Sequence, residues 1–381
     1  MDIALRTDAS PAIGLGHFKR CLSLAEALRE HGARCCFVSR DLGVDVSALA
    51  RAAGFATLLL PVPANSPASS PASATARAAH AGATDLRAAD AVDYGAWLGV
   101  SPATDAADTV AALRGHPPAW VVVDHYALAA PWHRAVAQAL ACRMAAIDDL
   151  ADRDLAVDLL IDHNHALDHR SKYGGHLPTQ AELLGGPNYA LLGAGYAGAQ
   201  PHAVAEAVNS IGIFMGGVDA AGLSALALQA CGLAGFEGPI EVATTSANPH
   251  GRALAEAVAR VPQARLLLDQ PDLQAFFARH GLQIGAGGGA TWERCCMGAP
   301  TLALVAAANQ RPVLEPLSGM GVLALADTPP ACEPWTAAGL APAIRKLLSA
   351  APLRRGLSAA ARALVDGQGA GRVAQRLLSP S

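Results

Sequence analysis

The chain has 381 residues, 52% hydrophobic and 16% charged, with a formal net charge of -4. That composition supports a large buried core and excludes a globally disordered chain. A mildly acidic balance with no block of like charges argues against a general nucleic-acid surface.

The length suits two or three domains at roughly 100–200 residues each. Aromatics are only 4%, so the core is built from small and aliphatic side chains. The opening Met1-Asp2-Ile3-Ala4-Leu5-Arg6 has no positive n-region before a long apolar run, so no signal peptide is expected. No uncharged apolar stretch reaches the ~18 residues of a membrane span, so no stable membrane association is expected. The eight cysteines, Cys21, Cys35, Cys36, Cys142, Cys231, Cys295, Cys296 and Cys332, form no CxxC pair. Free thiols in a reducing cytoplasm are the plain expectation.

In chain order, Asp2 to Arg6 reads as a short strand. A glycine loop ending Gly14-Leu15-Gly16-His17 follows, then a helix with Cys21, Leu24, Ala25 and Leu28 on one face, closed by Gly32. Arg34 to Ser39 is the next strand. Strand, glycine loop, helix and strand in this order open a parallel, doubly wound sheet. Residues 61–85, rich in Pro, Ala and Ser, read as a flexible loop. Trp120 to Asp124, Arg143 to Asp148 and Asp158 to Asp162 are further strands, each ending in Asp at the edge where open α/β sheets bind ligands. Gly193 to Pro201 is the candidate linker, which sets expected domains at 1–200 and 201–381. The second half carries strands at Ser210 to Met215, Ile240 to Ala243, Arg265 to Leu268, Leu282 to Gly285 and Thr301 to Val305. A helical tail from Pro334 to Leu378 could end by packing back on the first domain.

Several residues at strand ends can carry chemistry. Gly287-Gly288-Gly289-Ala290-Thr291 follows a strand and opens a helix, which suits a diphosphate. A tight turn needing positive φ accounts for it equally. It is neither a Walker A loop nor GxGxxG. Glu293, inside that helix, could accept ribose hydroxyls or simply stabilise the helix start. Asn309-Gln310, Gly216-Gly217 and Asn248-Pro249 stand at three more such edges, as ligand contacts or as turns and caps. His17 follows a GxG turn at a helix start, where the positive dipole end favours the neutral imidazole that a general base requires. A helix-start histidine bonded to backbone is the plainer account. Asp8, Lys19 and Arg20 flank it. Asp124-His125-Tyr126 and Asp148-Asp149 could hold sugar hydroxyls, orient His17, or only shape turns. His163-Asn164-His165 has metal-like spacing without a second ligand cluster, so no metal is expected. No GxSxG elbow is present.

These residues together resemble a known family. Arg6-Thr7-Asp8-Ala9-Ser10, Ile13-Gly14-Leu15-Gly16-His17 and Arg20 look like the opening of the UDP-2,4-diacetamido-2,4,6-trideoxy-β-L-altropyranose hydrolases of pseudaminic acid biosynthesis. The likeness continues through Val123-Asp124-His125-Tyr126, Ile147-Asp148-Asp149, Asp162-His163-Asn164 and Gly186-Pro187-Asn188-Tyr189-Ala190-Leu191-Leu192. It then runs through Met215-Gly216-Gly217-Val218-Asp219, Ala243 to Pro249, Gly287-Gly288-Gly289, Glu293 and Asn309-Gln310, covering about Ile3 to Gly321. The specificity lies in their order and spacing. Two features depart from the family. Gly193-Ala194-Gly195-Tyr196 stands where it commonly has Arg-Pro-Glu-Phe, so contacts of those side chains do not carry over. The 61–85 stretch is also longer.

The resemblance implies an α/β fold of two Rossmann-like, doubly wound domains facing a cleft, the glycosyltransferase-B architecture. It implies His17 as catalytic base, with Arg6, Asp8, Gly14, Gly16, Arg20, Asp124, Tyr126, Asp148, Asn309 and Gln310 toward the sugar and reacting centre. Gly216, Gly217, Asn248, Gly287, Gly288, Gly289, Ala290, Thr291 and Glu293 would hold the nucleotide. The expected reaction is hydrolysis of a UDP-sugar with inversion, with no cofactor, serving flagellin or surface-polysaccharide modification. A glycosyltransferase of the same fold and a sugar-nucleotide-binding protein without activity are the alternatives.

Overall fold

The structure is a computed structural model that describes residues 1–11, 13–62, 94–200, 202–329 and 333–379. The Pro/Ala/Ser-rich stretch expected as a loop lies, from residue 63 on, outside the described residues.

The first sheet contains β1 (Asp2–Thr7), β2 (Arg34–Arg40), β3 (Ala56–Leu60), β4 (Trp120–Asp124), β5 (Arg143–Ile147), β6 (Leu159–Asp162) and β7 (Glu182–Gly185), in the order β3-β2-β1-β4-β5-β6-β7. The second contains β8 (Ile211–Phe214), β9 (Ile240–Thr244), β10 (Ala264–Leu268), β11 (Leu282–Ala286), β12 (Thr301–Leu304) and β13 (Ala324–Leu325), in the order β10-β9-β8-β11-β12-β13. All described strand pairings are parallel. Each sheet therefore winds outward from its first strand, returns, and continues on the other side. Its winding reverses between β1 and β4 in the first sheet and between β8 and β11 in the second.

The strands are apolar because helices cover both their faces. Trp-Val-Val-Val-Asp of β4 is buried at every position, which a run of β-branched residues without polar alternation anticipates. On one face, Phe18, Leu24 and Leu28 of the helix Gly16–Glu30 share a core with Val373 and Leu377 of the helix Gly369–Leu378. On the other, Val110 and Leu113 of Pro102–Leu113 meet Trp132 and Val136 of Ala130–Leu140. Pro102 opens its helix behind Ser101, whose hydroxyl accepts the Thr104 N–H at 3.1 Å. In the second sheet, Ile213, Val242, Ile284 and Leu302 pack with Leu228 and Ile344 of the helices Leu223–Leu233 and Ala337–Ser349.

The chain divides into two compact units. Among the described residues, the first takes 1–62, 94–194 and 368–379, and the second 195–367. The last helix belongs to the first unit: the Leu377 carbonyl accepts from Trp120 Nε1 at 3.0 Å, and Arg376 pairs with Glu182 at 2.6 Å. The strands β3, β7 and β13 were not anticipated. They are short edge strands, and their partner strands, more than their own pattern, define them.

Leu377 is fully buried beside β4. Leu377→Ala should cost about 2–5 kcal/mol in denaturant unfolding. A loss below about 0.5 kcal/mol, the scale of an ordinary surface substitution, would show that the last helix is not part of the first unit's core.

Candidate active site

Where neighbouring parallel strands send their chains off in opposite directions, a crevice opens at their C-terminal ends. In the first unit this point lies between β1 and β4, and Thr7 is level with Asp124. The chain leaving β1 enters the helix Gly16–Glu30 and brings His17 and Arg20, while β4 ends on Asp124. His17 Nδ1 lies 2.6 Å from Asp124 Oδ1. Arg20 donates to the same carboxylate from Nε at 2.5 Å and Nη2 at 2.6 Å.

Burial alone would raise the Asp124 pKa. Arg20 and then His17 overcome that effect and hold the carboxyl below the usual carboxylate range. An ionised carboxylate only accepts, so the bond to it calls for the ring proton on Nδ1. The His17 side chain keeps 11% exposure while Asp124 has none, so the imidazole is reachable and the carboxylate bonded to it is not.

An aromatic wall stands beside the imidazole. Tyr126 meets the His17 ring edge-on at 4.7 Å and Trp97 at 6.2 Å, with Tyr94 stacked edge-on against both. The Tyr126 hydroxyl donates to Asp149 Oδ1 at 2.5 Å, and the Asn164 amide donates to Asp149 Oδ2 at 2.8 Å. Lys172 bonds the Asp149 carbonyl at 2.7 Å and the Asp162 carboxylate at 2.6 Å. His163 is buried here too; burial first, then the charge of Arg20, pushes it down to about 4.

Three expected sugar contacts have other roles. Arg6 and Asp8 are fully buried and bonded to each other at 2.6 and 2.8 Å. Arg6 also holds Asp105, and Asp8 accepts the Arg40 N–H at 2.8 Å. They form an ion network beneath the loop, with their donors and acceptors spent inside the protein. Asp148 is likewise buried, paired with Arg153 at 2.7 Å and accepting the Ala151 N–H at 3.0 Å. It shapes a turn, and the neighbouring Asp149 is the carboxylate tied to the His17 surroundings. Gly14 adopts a φ of 75° and donates its N–H to Ser10. At Gly16 an added Cβ would meet nothing within 4 Å, so packing does not require glycine there; its lack of a side chain leaves the helix start open.

The second unit repeats the arrangement between β8 and β11. Gly216-Gly217 leaves β8, and the Gly217 carbonyl is pinned by the hydroxyls of Thr244 at 3.1 Å and Thr245 at 2.8 Å. Gly287-Gly288-Gly289 leaves β11 and opens the helix Ala290–Met297, with Ala290 and Thr291 as its first residues. Gly288 has a φ of 112°, which only glycine tolerates well. Gly289 is open like Gly16. The turn account therefore holds at Gly288, while nothing in the packing requires glycine at Gly289.

Asn248 and Gln310 are occupied internally. Asn248 donates to Thr244 Oγ1 at 2.9 Å and accepts the His250 N–H at 2.7 Å. Gln310 donates to the Gly287 carbonyl at 3.2 Å and accepts the Ala306 N–H at 3.0 Å, so it fastens the glycine loop from β12. Asn309, one residue earlier, is exposed at the same edge. Glu293 is half-buried beside Tyr196; burial, then the Glu293 charge, raises the Tyr196 phenol far above its ordinary pKa.

Sequence reasoning missed Trp97 and Tyr94, which follow an alanine-rich stretch without periodicity. It also missed Arg294, which lies on the inner side of its helix.

No family model matches the chain, and no curated protein matches it. Solved structures do match in fold. MurG of Acinetobacter baumannii is 12% identical, with 99% of each chain covered and a TM-score of 0.63. Arabidopsis thaliana UGT89C1 complexed with UDP is 13% identical, with 99% of this chain and 100% of that one covered and a TM-score of 0.67. A putative UDP-N-acetylglucosamine 2-epimerase from Listeria monocytogenes is 13% identical, with 98% and 94% covered and a TM-score of 0.59. The chain thus has the two-domain glycosyltransferase-B fold. No helix among the described residues is long and apolar enough to cross a membrane.

Asp124 gives the site a pH signature. Its pKa is lower folded than unfolded, so it contributes stability that is complete above its unfolded value near 4 and lost as pH falls through the folded value. Unfolding measured between about pH 5 and pH 2 should show a shallower acid loss in Asp124→Asn than in the native chain. At neutral pH Asp124→Ala should be destabilised by about 3–5 kcal/mol, because Arg20 is left without its counter-charge. Identical acid slopes would refute the assignment of this carboxylate.

Proposed function

We propose that the protein hydrolyses the anomeric C–O bond of a UDP-linked 2,4-diacetamido-2,4,6-trideoxy sugar, the reaction its sequence resemblance implies. The observation that carries this reading is the His17–Asp124 pair, 2.6 Å apart at the winding reversal of the first unit and held by Arg20. His17 takes a proton from water on Nε2 while Asp124 steadies the imidazolium. The water oxygen bonds to C1 as the C1–O bond breaks, and the electron pair leaves with the β-phosphate oxygen of UDP. Attack opposite the leaving group inverts C1.

The second unit binds the nucleotide. The positive end of the helix Ala290–Met297, which opens beside the open Gly289 without a side-chain cap, meets the charge that builds on the departing diphosphate. Asn309 is the exposed amide available beside it, and Glu293 takes the ribose hydroxyls. The aromatic wall of Tyr126 and Trp97 packs on the sugar's apolar substituents. The described cysteines are free thiols, which suits a reducing cytoplasm.

A glycosyltransferase is the second reading, because structures of similar fold carry that name. Incubation with the UDP-linked trideoxy sugar in 18O water separates the two. Labelled free sugar of inverted configuration, released with UDP in the absence of an acceptor, supports hydrolysis. UDP release that waits for an added acceptor supports transfer. His17→Asn should lower turnover by about 100-fold or more while UDP affinity stays within about twofold. Near-native turnover in that variant would remove His17 as the base.

A further inference from the structure

Buried arginines in this protein are answered in one of two ways. Arg6, Arg20 and Arg40 each meet aspartates. Arg354 donates to the carbonyls of Leu347, Leu348, Ala205 and Glu206. Arg294 meets no aspartate and a single carbonyl. It is 1% exposed, and only its Nη2 is engaged, with the Ala286 carbonyl at 2.7 Å and Thr291 Oγ1 at 3.2 Å. Nε and Nη1 are buried without hydrogen-bond partners, and the Phe277 ring lies 6.0 Å from the guanidinium carbon. Burial pushes its pKa down to about 10, so it stays charged at neutral pH.

Its position is informative. A Cβ at Gly285 would strike Nη1, and Gly285 is paired with Phe214, the last residue of β8. The guanidinium therefore stands at the roots of both exit loops, Gly216-Gly217 and Gly287–Gly289. A cation this deep, attracted by the Glu293 charge but with no carboxylate bonded to it, destabilises the ligand-free fold. An anion settling on the loop above relieves that cost, because the field between them is little screened by water.

We infer that Arg294 is the buried counter-charge for a diphosphate bound over the Gly287–Gly289 loop, acting from beneath it. The inference rests on the nucleotide-site reading above and adds to it a residue that makes diphosphate, rather than nucleoside, the determinant of affinity.

The test is calorimetric binding of UDP and of uridine to the native chain, Arg294→Met and Arg294→Lys, with thermal unfolding of each ligand-free protein. The native chain should prefer UDP strongly. Arg294→Met should lose about 30-fold or more in UDP affinity and leave uridine unchanged. Its ligand-free melting temperature should match or exceed the native one, since an apolar isostere replaces an unanswered charge. Arg294→Lys, which keeps the charge, should retain more UDP preference than the methionine variant. A methionine variant that keeps the native preference, or fails to fold, would make Arg294 a strut for Ala286 and overturn the inference. A native chain that binds UDP no better than uridine would overturn the nucleotide-site reading along with it.

Discussion

Parallel pairing is the constraint on which the rest depends. A parallel neighbour is reached only by a crossover, and right-handed crossovers deliver every strand's exit loop to the same edge of the sheet. Where the winding reverses, two adjacent exit loops diverge instead of covering one another. The first unit places His17 and Asp124 at that point, and the second places its two glycine loops there. Residues 107 positions apart, His17 and Asp124, become hydrogen-bonding partners for this reason alone.

The two units treat buried charge differently. Beneath the β1 exit loop, Arg6 and Arg40 are paired with Asp8 and Asp105, and Asp124 joins His17 to Arg20. Such a network holds its members in fixed orientations. Beneath the β11 exit loop, Arg294 has only a carbonyl and a hydroxyl.

Much of the site was legible because the chemistry lies next to local signals. His17 follows a GxG turn, Asp124 ends an uninterrupted apolar strand, and Gly287-Gly288-Gly289 separates a strand from a helix. What could not be read was how each polar group is spent. Arg6 and Asp8 look like ligand contacts in sequence, yet Arg6 bonds Asp105, about a hundred residues on, and Asp8 accepts the Arg40 N–H. Asn248 and Gln310 look available until Thr244 and Gly287 are brought beside them. Arg294 looks like an ordinary helix-surface arginine until its side chain folds inward onto Ala286.

The sequence by itself determined the central elements, though not the edge strands β3, β7 and β13: apolar runs for strands covered on both faces, glycines at their exits, and amphipathic helices between them. These follow from interactions within a few residues, so local pattern suffices. Only the tertiary structure decided which exits are adjacent, that Asp149 rather than Asp148 is tied to the surroundings of His17, and that the last helix packs in the first unit. Those outcomes depend on strand order and on competition among distant donors and acceptors, neither of which is carried by any one segment of the chain.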